Sequence, residues 1–315
     1  MNRLLALAAA LVLSALTVSS AVATPSGPLS FRLNRDSGGR LQLNLFRENH
    51  GHDHMSSTFS PVDLPGLDVA ALTEAGQRPI RFALVRDAGR VDCAGTGGNT
   101  AASGQCRFTP DANFASLLVS RGIGRPTDEQ AYEMTMVGVR RDLVDALSAS
   151  RYPRPDVEKL VELSAVGVTP RFMADLTARG YAPSTLDDLT EFAALDVSPA
   201  YIDALASAGY RNIEPDKIAE LKAVGVNPAM ISRLAAAGYR NLSADDLEQM
   251  AALNITPDFI QGFARIGYTN LPVDELVELK ALDVTPEFVL NAKRSGFGPL
   301  SPKKAAELKA IRDDR

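Results

Sequence analysis

The three histidines of this chain stand together in one short stretch, Glu48-Asn49-His50-Gly51-His52-Asp53-His54. Imidazoles beside carboxylates form a donor set that suits Zn, Cu or Ni. The run is contiguous and contains a glycine, whereas structural metal sites usually draw their ligands from rigid, separated elements. Two interpretations of His50, His52 and His54 therefore stand side by side, a metal-binding site and a solvated polar loop.

Two cysteines, Cys93 and Cys106, are the next candidates for chemistry. They flank residues 94–105, a segment rich in Gly, Thr, Asn and Ser that we expect to be a loop. In an exported protein the pair predicts a disulfide that closes this loop, which stabilises the fold by about 3 kcal/mol in the chain-entropy model. The alternative is a pair of free thiols.

Motifs of hydrolytic catalysis are missing from the sequence, which has no H-E-x-x-H and no G-x-S-x-G. The acid pairs Asp187-Asp188 and Asp245-Asp246 recur at one position of a repeat. They suit a glycosidase dyad or the first turn of a helix, where negative charge meets the positive end of the helix dipole. We expect no enzymatic activity, no cofactor and no small-molecule substrate, with a cell-envelope hydrolase as an alternative.

Prolines and Gly–aromatic pairs recur every 29 residues through the second half of the chain. The prolines are Pro170, Pro199, Pro228, Pro257 and Pro286, and the glycines are Gly180, Gly209, Gly238, Gly267 and Gly296. A fixed period of this size indicates a stacked repeat array. We expect two helices per repeat and about seven units across residues 113–311, with degenerate terminal units, and hence an all-α solenoid.

Residue types explain each predicted helix boundary. The first helix of a repeat begins after a capping residue such as Thr185, Ser243 or Ser301. It ends at a residue type that tolerates a left-handed backbone, namely Gly167, Asp196, Gly225, Asn254 or Asp283. A buried β-branched residue follows, and then Thr, Ser or Asn caps a second helix that has proline at its first position.

Aromatic residues follow the repeated glycines. They are Tyr181, Tyr210, Tyr239, Tyr268 and Phe297. The tyrosines either pack the turn between helices or form a ladder of binding aromatics, and side chains at repeat spacing favour the packing role.

The residues before the repeats have a different pattern. Apolar and polar residues alternate along 29–35, 40–47, 79–86, 90–93 and 104–109. This predicts a small antiparallel β-domain of about five strands within residues 24–110. The expected fold class is therefore multidomain α and β, a small N-terminal antiparallel β-domain followed by the all-α solenoid.

The first 23 residues have the features of a Sec-type signal peptide. Arg3 supplies the positive charge, Leu4 to Leu16 is apolar, and Ala21-Val22-Ala23 is an A-x-A cleavage site that places the mature start at Thr24. The alternative, a membrane anchor, needs about 20 apolar residues. We expect a periplasmic or secreted protein with no transmembrane segment in the mature chain.

The turn within residues 221–234 is similar to a helix-hairpin-helix, a motif that binds the DNA backbone. Asn227-Pro228 replaces its second turn glycine, and Asp196 or Asp283 stands at the first glycine in other repeats. An acid at the turn repels phosphate, and the chain has a formal net charge of −5. We therefore expect no nucleic-acid partner.

The repeats also resemble arrays of bacterial extracytoplasmic proteins. They look like those appended to membrane metallopeptidases of the beta-lactam-sensing antirepressor family. The resemblance covers at least residues 155–300, and its best copies are Gly238-Tyr239-Arg240-Asn241-Leu242, Gly267-Tyr268-Thr269-Asn270-Leu271 and Val284-Thr285-Pro286-Glu287-Phe288. This chain lacks the zinc motif and membrane helices of that family, so the resemblance implies the accessory part and no peptidase activity.

The sequence as a whole favours an exported, non-catalytic scaffold that binds a protein or peptide in the cell envelope and is accessory to envelope signalling. The alternatives are a metal-binding protein that uses His50, His52 and His54, and the hydrolase named above.

Overall fold

The computed structural model describes residues 29–47 and 54–313. By their internal contacts the described residues form two compact units. Among the described residues, the β-unit contains 29–47, 54–85 and 90–109, and the helical unit contains 86–89 and 110–313.

The β-unit is built on a six-stranded antiparallel sheet. Its strands are β1 (Leu29–Arg35), β2 (Leu41–Arg47), β3 (His54–Phe59), β4 (Arg78–Arg86), β5 (Gly89–Gly98) and β6 (Ala101–Pro110), in the spatial order β3-β2-β1-β6-β5-β4. In the register of the sheet, Phe31 lies opposite Leu45 on β2 and opposite Gly104 on β6. Alternate residues therefore share one buried face, on which Leu33 and Leu43 have no exposed surface.

The connection between β3 and β4 contributes to the same core. It contains a short 3₁₀ turn (Pro61–Asp63) and the helix α1 (Val69–Thr73). Leu64 and Leu72 of this connection are buried. Asp68 caps α1 by accepting hydrogen bonds from the backbone N–H groups of Ala70 and Ala71.

The sheet has one strand more than the five that alternation predicts. The additional strand, β3, pairs antiparallel with β2, and His54 lies opposite Phe46. Its sequence, HMSSTF, has few apolar residues. β3 is an edge strand of the sheet. Because one face of an edge strand needs little apolar character, the alternation of apolar residues in its sequence is weak.

The glycine-rich segment 94–105 is a tight hairpin, and its prediction as a loop is wrong. β5 and β6 meet at Asn99 and Thr100, whose φ angles of 52° and 68° are both positive, as in a type I′ turn. A Cβ on Gly95 would lie 2.0 Å from the Ser103 carbonyl oxygen, and one on Gly104 would lie 2.2 Å from the Ala94 oxygen. These two glycines therefore permit a close approach of strands.

The helical unit contains helices that recur with the 29-residue period. They are α2 (Ala112–Ser120), α3 (Asp128–Val137), α4 (Arg141–Ala149), α5 (Val157–Ala165), α6 (Pro170–Ala178), α7 (Leu186–Ala194), α8 (Pro199–Ser207), α9 (Pro215–Ala223), α10 (Pro228–Ala236), α11 (Ala244–Ala252), α12 (Pro257–Ala264), α13 (Val273–Ala281), α14 (Pro286–Ala292) and α15 (Pro302–Asp313). Odd-numbered helices from α3 onward are the first helices of repeats, and even-numbered helices are the second. A π turn, Lys293–Phe297, follows α14.

Alternate helices contact each other through the unit. Among first helices the contacts are α3 with α5, α5 with α7, α7 with α9, α9 with α11, α11 with α13 and α13 with α15. Among second helices, α4 contacts α6 and α6 contacts α8. A helix therefore lies beside its counterpart in the next repeat.

The predicted boundaries of the helices are confirmed. The five residues at the ends of first helices have positive φ angles: Gly167 (83°), Asp196 (54°), Gly225 (83°), Asn254 (52°) and Asp283 (49°). The five caps of second helices accept a hydrogen bond from the third helical N–H: Thr169, Ser198, Asn227, Thr256 and Thr285. The β-branched residues between these positions, such as Val197 and Val226, are buried.

Three further left-handed residues were not expected. Asn212, Asn241 and Asn270 stand two residues after the repeated tyrosines, with φ angles of 56°, 56° and 54°. Asparagine is enriched at such angles, and this backbone demand explains the asparagine of the Gly-Tyr-x-Asn-Leu pattern.

In the part of the chain that the structure describes, no helix is both long and apolar enough to cross a bilayer.

The substitution Gly225→Ala tests the left-handed constraint alone, because a Cβ at Gly225 meets nothing within 4 Å. We expect the free energy of unfolding to fall by about 1–2 kcal/mol, the cost of a left-handed backbone for an ordinary residue. Urea unfolding followed by circular dichroism measures the loss. The control is Gly225→Asn, which places there the residue type found at Asn254 and should cost less; equal losses in the two variants would contradict the explanation.

Candidate binding grooves

The predicted metal loop falls largely outside the described residues. His50 and His52 are outside the described residues, and His54 is the first residue of β3. Within residues 29–47 and 54–313, no group of three or more His, Cys, Asp or Glu side chains is placed to hold a metal ion. The metal-binding interpretation of His50, His52 and His54 stays a prediction.

The structure joins Cys93 of β5 to Cys106 of β6 through a disulfide, with the two sulfur atoms 1.96 Å apart. The bond links two adjacent strands of the hairpin, so the segment that it closes consists of paired strands and a tight turn and is not an irregular loop. Its half-cystine Cys93 is buried among the core residues of the β-unit.

The recurring acid pairs serve the helical array. Asp188 accepts a hydrogen bond from the Thr185 N–H at 3.1 Å, and Asp246 accepts one from the Ser243 N–H at 3.2 Å. In return each cap hydroxyl accepts from the N–H of its acid, which completes a capping box. The helix-capping interpretation of the second acid in each pair is confirmed.

The first acid of each pair binds a lysine of the preceding repeat. Lys159 Nζ lies 2.6 Å from Asp187 Oδ1, and Lys217 Nζ lies 2.9 Å from Asp245 Oδ1. Hydrogen bonds to Glu220, then Glu248 and Asp245, raise the pKa of Lys217 above its ordinary value. These partly exposed ion pairs set the register between repeats more than they add stability.

The repeated tyrosines bind the backbone of the next repeat. The hydroxyl groups of Tyr210, Tyr239 and Tyr268 donate to the carbonyl oxygens of Leu242 (3.0 Å), Leu271 (2.7 Å) and Leu300 (2.5 Å), each 32 residues further on. Their rings are half-buried, and burial raises the pKa of all three hydroxyl groups. These tyrosines therefore join repeats, which agrees with the packing role.

One groove, here called the loop groove, lies between the loops that follow α8 and α10. It has a volume of about 550 Å³ and is lined by Tyr210 and Arg211 of one repeat and by Tyr239 and Arg240 of the next. Arg211 donates from Nε to the Ala206 carbonyl at 3.2 Å. The two guanidinium groups therefore stand one repeat apart at the C-terminal ends of helices, where the helix dipole favours positive charge.

A second groove, here called the turn groove, lies between the α9–α10 turn and the α11–α12 turn. It has a volume of about 460 Å³. Met230, Leu234 and Met250 supply apolar lining. Asn227, Arg233 and Asp258 supply polar lining. The helix α10 lines both grooves, because Ile231 and Ala235 belong to the loop groove and Met230 and Leu234 to the turn groove.

The turn groove occurs where two residues depart from their counterparts in neighbouring repeats. Lys222 Nζ lies 4.7 Å from the centre of the Tyr201 ring, and Lys280 Nζ lies 5.0 Å from the centre of the Phe259 ring. In the pair of positions between these two, Ala251 stands where the lysine would be and Met230 where the aromatic residue would be. The shorter alanine and the flexible methionine leave space that the lysine–aromatic pairs fill elsewhere.

Contacts between repeats recur at 58 residues, two periods of 29. The pairs are Lys159–Asp187 and Lys217–Asp245, Arg121–Asp145 and Arg179–Asp203, and Lys222–Tyr201 and Lys280–Phe259. Among the later first helices, Thr185 and Ser243 cap α7 and α11, whereas Glu214 and Pro272 give no side-chain cap to α9 and α13. The sequence prediction found the 29-residue period and missed this doubled one.

Comparison with known proteins gave no match: no family model, no curated protein and no solved structure is similar to this chain.

The substitution Tyr239→Phe tests the hydrogen bonds that join repeats. We expect the free energy of unfolding to fall by about 1–2 kcal/mol, because the Leu271 carbonyl loses its donor. The control is Tyr181→Phe, whose hydroxyl has no hydrogen bond with any residue that the structure describes and whose ring is also half-buried. Urea unfolding of both variants measures the two losses of unfolding free energy. Equal losses would show that the hydroxyl of Tyr239 contributes nothing to stability.

A pH titration tests Tyr201, whose hydroxyl donates to the Val226 carbonyl at 3.0 Å and whose pKa burial raises to about 12. In the unfolded chain, the pKa of a tyrosine hydroxyl is about 10. Tyr201 therefore contributes stability that is full below pH about 10 and is lost as the pH rises toward 12. We expect Tyr201→Phe to remove the last step of the tyrosinate absorbance titration, while Tyr181→Phe keeps it. A late step that persists without Tyr201 would contradict the assignment.

Proposed function

We propose that this chain is an exported, non-catalytic scaffold that binds a protein or peptide of the cell envelope through grooves between its repeats. The proposal includes an α-solenoid arrangement of the helical unit. The single observation that carries it is the presence of two grooves, the loop groove and the turn groove, on different sides of α10.

The contacts of the helical unit support the solenoid arrangement. A helix of nine residues is marginal when alone, so each repeat needs its neighbours to bury its apolar face. First helices contact the first helices of adjacent repeats, and the tyrosine hydroxyls bind carbonyls one repeat further along. Such nearest-neighbour contacts are typical of solenoids, whose extended surfaces commonly bind other proteins.

The chemistry of the turn groove suits a peptide or protein segment. Its apolar lining includes the partly exposed Met230, and methionine side chains adapt to partners of different shape. Asn227 and Asp258 offer hydrogen-bonding groups at the same groove, which can orient a bound backbone. Lysine–aromatic pairs occupy the equivalent positions in the repeats on either side of this groove.

Export is supported by the signal-peptide pattern of the first 23 residues, which lie outside the described part of the chain, and by the disulfide. Disulfides persist in oxidising compartments such as the periplasm. A role accessory to envelope signalling rests on the sequence resemblance of the repeats to those appended to beta-lactam-sensing metallopeptidases. The repeats of this chain would then supply a binding surface without peptidase chemistry.

Photo-crosslinking at single positions tests the proposed function. A benzophenone amino acid replaces Met230 in the turn groove, or Arg211 in the loop groove, and cells that express the variant are irradiated. We expect a discrete, saturable adduct at one of these positions, because a bound partner excludes other molecules from the groove.

The control position is Gln249, an exposed residue of α11 that lines neither groove. The same adduct from all three positions would show collision and not binding. The absence of any adduct at Met230 and Arg211, in cells where the protein is folded and exported, would contradict the proposed function.

A further inference from the structure

A trough on the β-unit contains a cluster of arginines that the proposed function does not use. It lies across β4, β5 and β6, has a volume of about 470 Å³, and is lined by Arg81, Arg90 and Arg107 together with Ala83 and Ala94. One arginine comes from each of the three strands, which are neighbours in the sheet.

The alternation of strand residues explains the trough. Arg81 and Ala83 are two residues apart on β4, as are Arg90 and Asp92 on β5, so each pair points to the same face of the sheet. The short side chains of Ala83 and Ala94 leave space between longer neighbours. The three arginines are exposed, and Ala83 is only 2% exposed beneath them.

The charges in the trough are unbalanced. Arg90 Nε lies 2.7 Å from Asp92 Oδ1, so these two side chains form an ion pair. The side chains of Arg81 and Arg107 form no hydrogen bond or ion pair with any residue that the structure describes. Three positive charges and one negative charge leave a local excess of two positive charges beside an apolar floor.

We propose that this trough binds an acidic peptide segment in extended conformation, with carboxylate groups on Arg81 and Arg107. The planar guanidinium group matches a carboxylate with two parallel hydrogen bonds. Adjacent strands are about 4.8 Å apart, so the backbones that carry Arg81 and Arg107 are separated by about 10 Å. Acidic side chains two residues apart on an extended peptide are about 7 Å apart, and the flexible side chains of both partners cover the remaining distance.

The apolar floor also favours a peptide over a small anion. The backbone and methylene groups between two acidic side chains would lie over Ala83 and Ala94, away from water. The trough lies wholly in the β-unit and uses no residue of the loop groove or the turn groove, so the inference goes beyond the proposed function and does not depend on it.

Calorimetry with the full mature chain tests the inference. The probe is a blocked peptide in which glutamate alternates with serine, and its counterpart has lysine in place of glutamate. We expect the glutamate peptide to bind at low ionic strength and to weaken with added salt, because exposed charges are screened. We expect no binding of the lysine peptide, and no displacement of the glutamate peptide by an equal concentration of inorganic phosphate.

Two variants locate the binding. The double substitution R81Q/R107Q should raise the dissociation constant at least about tenfold, because it removes two charge-assisted contacts and breaks no side-chain bond among the residues that the structure describes. Ala94→Leu should weaken binding by filling the floor at an exposed position.

The matched control is Arg32→Gln. Arg32 is an exposed arginine of β1 that lies opposite Ser103 on β6, on the face of the sheet that carries Arg107 but outside the trough. Its removal should leave the affinity unchanged. Equal losses for Arg32→Gln and R81Q/R107Q, unchanged affinity after R81Q/R107Q, displacement by inorganic phosphate, or no binding of the glutamate peptide would each overturn the proposal.

Discussion

A backbone residue held in the left-handed region at the end of each first helix is the constraint on which the helical unit depends. At Gly225 this conformation turns the chain so that the next N–H, that of Val226, donates to the Leu221 carbonyl at 2.9 Å. The same turn buries the Val226 side chain and brings Asn227 into position to cap α10. One φ angle thus determines the end of one helix, a core contact and the start of the next helix.

The side chains with recognisable chemistry are largely occupied in building this array. Capping hydroxyl groups, second acids and tyrosine hydroxyl groups bind backbone, and first acids bind lysines of the preceding repeat. The proposed binding sites therefore lie at departures from the pattern, such as Met230 and Ala251, and in the β-unit, where Arg81 and Arg107 are unpaired among the described residues.

Local features of the fold were predictable from the sequence because their causes lie within a few residues. A cap such as Thr185 and a left-handed Asn254 act on neighbouring backbone, so residue type alone reveals them. The strand β3 was missed because an edge strand needs little apolar signal. The grooves were missed because they depend on the size of side chains in adjacent repeats, and the partner of Tyr239 lies 32 residues away.

The doubled period of the contacts between repeats has a consequence for how such an array changes in length. Loss or duplication of a single 29-residue unit would place a repeat that has alanine, as at Ala251, where a repeat with Lys222 or Lys280 stands. The lysines would then be separated from their aromatic partners. A change of two units keeps the lysines in phase, because Lys159 and Lys217, like Lys222 and Lys280, are 58 residues apart. A change of two repeats therefore disturbs these lysine contacts less than a change of one repeat.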